Sequence, residues 1–168
     1  MSVTIILALS VLGLAIAYYY SSSVLKIPID MGVEDPEIRK RLAKIHSAIA
    51  TGAMAFLKQE YKIMAIFMVV FAAIIAVLID DHHTDYVNEG LYTAIAFIFG
   101  AIISIASGFI GMKIATQGNV RTTVSANQSL SSAFNVALHS GSVMGFALVS
   151  LAALGLLLIY LGLSSIMP

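Results

Sequence analysis

Residues 91–114 read LYTAIAFIFGAIISIASGFIGMKI, an apolar run in which the first charged side chain is Lys113. A helix needs about 20 predominantly apolar residues to cross a hydrocarbon core about 30 Å thick. Stretches of the same character occupy residues 3–20, 63–79 and 143–166. We therefore predict an all-α, polytopic membrane protein with four transmembrane helices. They form a single transmembrane unit over residues 1–168, with helices at about 3–20, 42–79, 91–116 and 130–163.

The composition points to the same class of protein. The 168 residues are 60% hydrophobic and only 11% charged, and the mean hydropathy is +0.96. Soluble domains are nearer half apolar and about a quarter charged. The absence of cysteine excludes disulfides and thiolate metal sites. The formal net charge is zero, which gives no indication of nucleic-acid binding, so the lipid bilayer is the expected surrounding.

The placement of the nine Lys and Arg residues predicts the orientation of the helices. Short cytoplasmic loops of membrane proteins are enriched in Lys and Arg. Residues 80–90 contain neither, and they hold the acidic residues Asp80, Asp81, Asp85 and Glu89. We therefore predict that both termini and this acidic segment lie outside, in a multi-pass protein of the cell membrane. The basic residues flank the two connections on the other side: Lys26, Arg39, Lys40, Arg41, Lys44, Lys58, Lys62, Lys113 and Arg121. Because no Lys or Arg precedes the first stretch, it is expected to be a retained helix and not a cleaved signal peptide.

Local signals predict where the second and third helices begin and end. Asp35 has the character of an N-cap, followed by Pro36 at the first helical position. A continuous helix from there to residue 79 would be about 65 Å long, so we expect either a break near Gly52 or a long cytoplasmic extension. Gly118-Asn119 is interpreted as the stop of the third helix.

Small residues recur every four positions on the third and fourth helices. Such faces let membrane helices approach closely, because packing replaces the missing hydrophobic drive. We predict an antiparallel hairpin packed along these faces, and we expect Gly141→Leu together with Gly145→Leu to disrupt it. The predicted packing residues are Gly100, Ser104, Gly108, Ala137, Gly141 and Gly145.

Candidate sites for chemistry are few. Asp81 and Asp85 have the spacing that puts two carboxylates on one helix face, and with the two histidines between them they could hold a divalent metal. A solvated acidic turn is the favoured interpretation. His139 is a candidate proton carrier or an interfacial contact with a neighbouring helix. Arg121 is a candidate for contact with a phosphate or lipid headgroup at the cytoplasmic face, or else a topology anchor. No carboxylate lies in the core of any span, which argues against a pump made of this chain alone. We predict no catalytic, cofactor-binding or metal-ligating residue.

Three blocks resemble membrane-integral, ion-translocating inorganic pyrophosphatases, in the family's order and spacing. They are GAMAFLKQEYK at 52–62, GFIGMKIATQGNVRTT at 108–123 and ALHSGSVMG at 137–145. The resemblance implies a cytoplasmic magnesium site where pyrophosphate is hydrolysed, outward transport of protons or sodium, and a homodimer. It also implies that Lys113 and Arg121 lie at the cytoplasmic face without binding the metal diphosphate, and that His139 is structural.

The resemblance covers only the first four helices of a much longer chain. It implies an N-terminal, outer-ring portion of a pyrophosphate-energised pump, without the Asp-rich catalytic helices. We therefore expect this chain alone to be inactive and its partners to be the remaining pump helices or a full-length pump. Magnesium is implied for the full-length family and not for this chain. Two alternatives stay open: a non-catalytic scaffold or regulatory subunit, and a small independent transporter.

Overall fold

The computed structural model describes residues 2–79 and 89–165. The described chain forms four helices: α1 (Ser2–Leu25), α2 (Pro36–Leu78), α3 (Glu89–Ala126) and α4 (Leu130–Ser164). Each is long and apolar enough to cross a membrane, and no strand occurs among these residues. The predicted class, an all-α protein with four membrane-spanning helices, is confirmed.

Helix α2 begins at the predicted cap, before its predicted membrane-spanning part at about 42–79, and continues without a break. Asp35 is its N-cap, with the side-chain Oδ1 accepting a hydrogen bond of 2.8 Å from the backbone N–H of Glu37. Pro36 then occupies the first turn, where its missing N–H costs nothing. The helix runs through Gly52 over 43 residues, about 65 Å at 1.5 Å per residue. Of the two alternatives, the structure shows the long extension.

Helix α3 does not stop at Gly118-Asn119, and that prediction was wrong. The helix continues to Ala126, where the backbone N–H of Gln128 bonds the carbonyl of Ser125 at 3.0 Å. A glycine that ends a helix adopts a left-handed conformation, and among the described glycines only Gly32 has a positive φ, of 72°. Gly118 lies inside the helix, and its missing side chain makes room for α4.

Among the described residues the helices form an open row and not a closed four-helix bundle. Helices α3 and α4 share the most extensive contact. Helix α1 packs mainly on α4, and α2 packs on α3 alone. The core lies where α1, α3 and α4 meet, and its buried members include Val24, Ile114 and Val143. Most other large apolar side chains are exposed, as expected for helices that face lipid or further helices.

A few polar and aromatic contacts tie the neighbouring helices together. The hydroxyl of Tyr61 on α2 donates a 3.0 Å hydrogen bond to the backbone carbonyl of Ile105 on α3. The rings of Tyr20 on α1 and His139 on α4 stack with centroids 4.6 Å apart. His139 therefore contacts a neighbouring helix through its ring.

Candidate functional site

Three glycines mark where α3 and α4 come closest. A Cβ atom at Gly118 would lie 2.5 Å from the Oγ and 2.9 Å from the Cβ of Ser140. A Cβ at Gly111 would lie 3.1 Å from the Cγ of Met144. On α4, a Cβ at Gly155 would collide with the Cδ1 of Ile103. Real Cβ atoms are essentially never found closer than 3.0 Å to such neighbours, which applies to Gly118 and Gly155, and the 3.1 Å at Gly111 is tighter than nine in ten real Cβ contacts. These glycines therefore allow the hairpin to close.

The hairpin exists, but the stripe predicted for its interface is not the one that it uses. All six predicted packing residues are exposed: Gly100, Ser104, Gly108, Ala137, Gly141 and Gly145. A Cβ at Gly100, Gly141 or Gly145 would have nothing within 4 Å. The reason is geometrical, because each helix carries small residues on two adjacent faces and spacing alone does not say which face meets the partner.

Four of these six residues line a groove along the outside of the α3–α4 seam. Three successive cavities of about 470, 290 and 440 Å³ follow this seam from the α3–α4 turn to the opposite end of the hairpin. Ala137 and Gly141 line the first cavity, and Gly100 and Ser104 line the second. We call this surface the seam groove. Another helix could approach the backbone closely in this groove, because the residues there are small. None of its lining side chains is charged.

Arg121 is buried, with 8% of its surface exposed, and it holds the end of α1. Its Nε donates to the carbonyl of Ile27 at 3.0 Å, and one Nη donates to the carbonyl of Leu25 at 3.4 Å. The other Nη donates to both the backbone carbonyl and the side-chain Oε1 of Gln117, at 2.9 and 2.8 Å. The last carbonyls of a helix lack intrahelical partners and carry partial negative charge. Arg121 therefore caps α1 from α3.

The sequence pattern contained no signal for this role. The partners of Arg121 on α1 lie 94 and 96 positions away in the chain. The predicted contact with a phosphate or lipid headgroup stays a prediction, and it would have to use the one guanidinium N–H that these bonds leave over.

The acidic segment that could hold a divalent metal lies outside the described residues. Asp81, Asp85 and the histidines between them belong to the segment 80–88, of which the structure describes nothing. Within residues 2–79 and 89–165, no group of three or more His, Cys, Asp or Glu side chains could hold a metal ion. The described residues therefore do not fit a magnesium site, and no step of a reaction is assigned to them.

Comparison with known proteins identifies the family. The family model described as inorganic H+ pyrophosphatase matches residues 11–167. A K(+)-insensitive pyrophosphate-energized proton pump of Moorella thermoacetica is 39% identical over 90% of this chain, and one of Methanosarcina mazei is 35% identical over 89%. A K(+)-stimulated pyrophosphate-energized sodium pump of Thermotoga maritima is 40% identical over 77% of the chain.

These matches concern a minor part of each relative. The aligned region is 20% of the length of each of the two proton pumps and 17% of the sodium pump. The chain thus spans about a fifth of the length of the curated relatives that it matches. The match to the family model nevertheless covers nearly all of the chain, which belongs to the inorganic H+ pyrophosphatase family.

Proposed function

We propose that this chain is the four-helix N-terminal part of a pyrophosphate-energised proton or sodium pump, and that its task is structural. It would supply an outer wall against which the helices that bind pyrophosphate and conduct ions are packed. The observation that carries the proposal is the match of residues 11–167 to the family, combined with relatives about five times as long.

The distribution of charge supports a structural role. Helices α1 and α4 contain no Asp, Glu, Lys or Arg. On α3, Glu89 lies in the first turn, and Lys113 and Arg121 are the 25th and 33rd of its 38 residues. An ion path through lipid normally needs an ionisable group within the span. On α2, every charged residue precedes residue 63. The apolar cores of the described spans therefore lack an ionisable group for transport, which would belong to other helices of the assembled pump.

The seam groove supports the presence of such helices. Gly100, Gly141 and Gly145 are exposed in this chain, and open space surrounds each of them. Small residues at i and i+4 favour close approach of a further membrane helix, because backbone contact and dispersion drive association in lipid. Nothing within α1–α4 uses this face, so an additional helix of the pump is the occupant that we propose.

A complementation experiment tests the proposal. The Thermotoga maritima sodium pump, with the segment that matches this chain removed, is co-expressed with this chain, and magnesium-dependent release of phosphate from pyrophosphate is measured in membrane vesicles. The positive control returns the pump's own segment as a separate chain. We expect no activity from either part alone and activity when both are present.

The same experiment separates the proposal from its alternatives. If the pump's own segment restores hydrolysis and this chain does not, the proposal that this chain is the structural N-terminal part of such a pump is contradicted. If this chain instead binds the intact pump and changes its rate, the scaffold or regulatory subunit is favoured. Phosphate release by this chain alone, above that of heat-inactivated protein, would contradict the expectation that it is inactive.

A double substitution tests the groove directly. Gly141→Leu with Gly145→Leu adds bulk where a Cβ meets open space, and leucine is favoured over glycine inside a helix, so the isolated chain should melt no lower than wild type. This reverses the expectation drawn from spacing alone. Complementation by this variant should nevertheless fail, because the filled groove excludes the incoming helix. Full complementation would show that the groove faces lipid.

A further inference from the structure

A crevice separates α1 from α3 near the cytoplasmic ends of both helices. Both helices pack on α4, but they touch each other only slightly. The space left between them is about 390 Å³, and Val143 of α4 lies at its base. We call it the α1–α3 crevice. It lies on the opposite side of the core from the seam groove, because the linings of the two share only the buried Ile114.

The crevice is apolar at its base and along its walls. Ile114 and Val143 form the base and are 5% and 3% exposed. Leu25 of α1 and Phe109 of α3 form the rims and are 46% and 40% exposed. A chain of methylene groups fits such a lining, because dispersion contacts take the place of the hydrophobic drive inside a bilayer or micelle.

The cytoplasmic mouth of the crevice is polar and cationic. Lys113 lines the crevice and lies at the inner end of the apolar run of α3. Its ammonium group lies 5.8 Å from the centroid of the Phe109 ring. The lining contains no carboxylate. Gln117, one turn further on, accepts from Arg121 through its Oε1 at 2.8 Å, which leaves its amide N–H groups as donors.

We propose that the α1–α3 crevice binds one anionic phospholipid of the cytoplasmic leaflet. Its phosphate would lie on Lys113 and the amide of Gln117, and an acyl chain would run along Ile114 and Val143 between the exposed rims. Lys113 is a suitable residue because it stands where the apolar span ends, at the level of the headgroups. Arg121 is unsuited to the same task because four of its five N–H donors already bind protein oxygens. This inference does not depend on pyrophosphate hydrolysis.

The test measures lipid-dependent stability of the purified chain in detergent micelles. A ligand that binds the folded state raises the melting temperature in proportion to its occupancy. Phosphatidylglycerol and phosphatidylcholine with identical oleoyl chains are titrated separately, and inorganic phosphate is added in a third series. We expect phosphatidylglycerol to stabilise at about fivefold lower concentration than phosphatidylcholine, the ratio expected for one basic residue near an anionic headgroup. We expect inorganic phosphate to have no effect.

Four variants make the result specific. Lys113→Gln should abolish the difference between the concentrations of the two lipids that stabilise the chain. Lys113→Arg should keep this difference, and Lys62→Gln on α2 should leave it unchanged. Ser21→Phe fills part of the crevice without changing any charge, and it should weaken the stabilisation by both lipids. Because each variant is compared with itself in the two lipids, a general loss of stability does not imitate these outcomes.

The proposal fails if the lipids stabilise wild type equally, which would leave the crevice to a helix of another protein. It also fails if Lys113→Gln keeps the preference for phosphatidylglycerol, or if inorganic phosphate stabilises as well as the lipid does.

Discussion

Replacing Gly118 with alanine tests the packing of the α3–α4 hairpin at a point of close approach. The added Cβ would lie 2.5 Å from the Oγ and 2.9 Å from the Cβ of Ser140. Ser140 has little freedom to move, because it is 9% exposed and its hydroxyl donates a 2.8 Å hydrogen bond to the carbonyl of Val136. The two helices must therefore separate locally or the serine must change rotamer.

The magnitude follows from two opposing terms. Overpacking of a well-filled interface costs about 1–3 kcal/mol, while alanine is favoured over glycine inside a helix by about 0.8–1 kcal/mol. Gly141→Ala is the matched control, because it gains the same helical term at a position where a Cβ meets nothing within 4 Å. The difference between the two variants isolates the clash, and we expect Gly118→Ala to melt roughly 2–12 °C below Gly141→Ala, at about 2–4 °C per kcal/mol.

Thermal unfolding of the purified chain in one detergent, followed by circular dichroism, measures this difference. A compensating variant strengthens the assignment: Gly118→Ala combined with Ser140→Gly exchanges the small residue between the helices and should recover most of the loss. Equal melting temperatures for Gly118→Ala and Gly141→Ala would refute the close approach. Failure of the exchange to recover stability would show that Ser140 is not the obstacle.

Three other predictions concern the cap that Arg121 provides for α1, the contact between α2 and α3, and the topology. Arg121→Gln should lower the free energy of unfolding by about 1.5–3 kcal/mol, because it removes charged donors from carbonyls at the end of α1. Amide hydrogen exchange should become faster in residues 24–30. The exposed control Arg41→Gln should change neither quantity. Tyr61→Phe removes the bond to Ile105 and should cost about 0.6 kcal/mol in chemical unfolding, against no change for Tyr160→Phe. A C-terminal epitope should be accessible to antibody in intact cells, since both termini are expected outside; an epitope reached only after permeabilisation would overturn this orientation.

The number of helices and several of their ends follow from local chemistry. The four apolar stretches predict four spans because partition into lipid depends on the side chains of each segment. Asp35 and Pro36 predict the start of α2 because an N-cap satisfies backbone donors within its own turn. The blocks at 52–62, 108–123 and 137–145 were also sufficient to indicate the family, which the match over residues 11–167 confirms.

Where local signals failed, the deciding partner lay on another helix. Gly118 resembles a helix stop in sequence, but it is a point of close approach to Ser140. Arg121 resembles a lone surface cation, but its partners on α1 are 94 and 96 residues away. Neither relation leaves a trace in the residues adjacent to Gly118 or Arg121.

Membrane insertion and the expected orientation could therefore be read from the residues in order, because hydropathy and charge act on each segment separately. The choice of contact face could not. In lipid, two apolar or small-residue faces of one helix are almost equally well solvated, so no hydrophobic preference selects between them. Only the combined packing of α1, α3 and α4 puts Gly111 and Gly118 inside the hairpin and leaves Gly100 and Gly141 on an open groove. The same packing brings Arg121 to the end of α1, where it donates hydrogen bonds to backbone carbonyls.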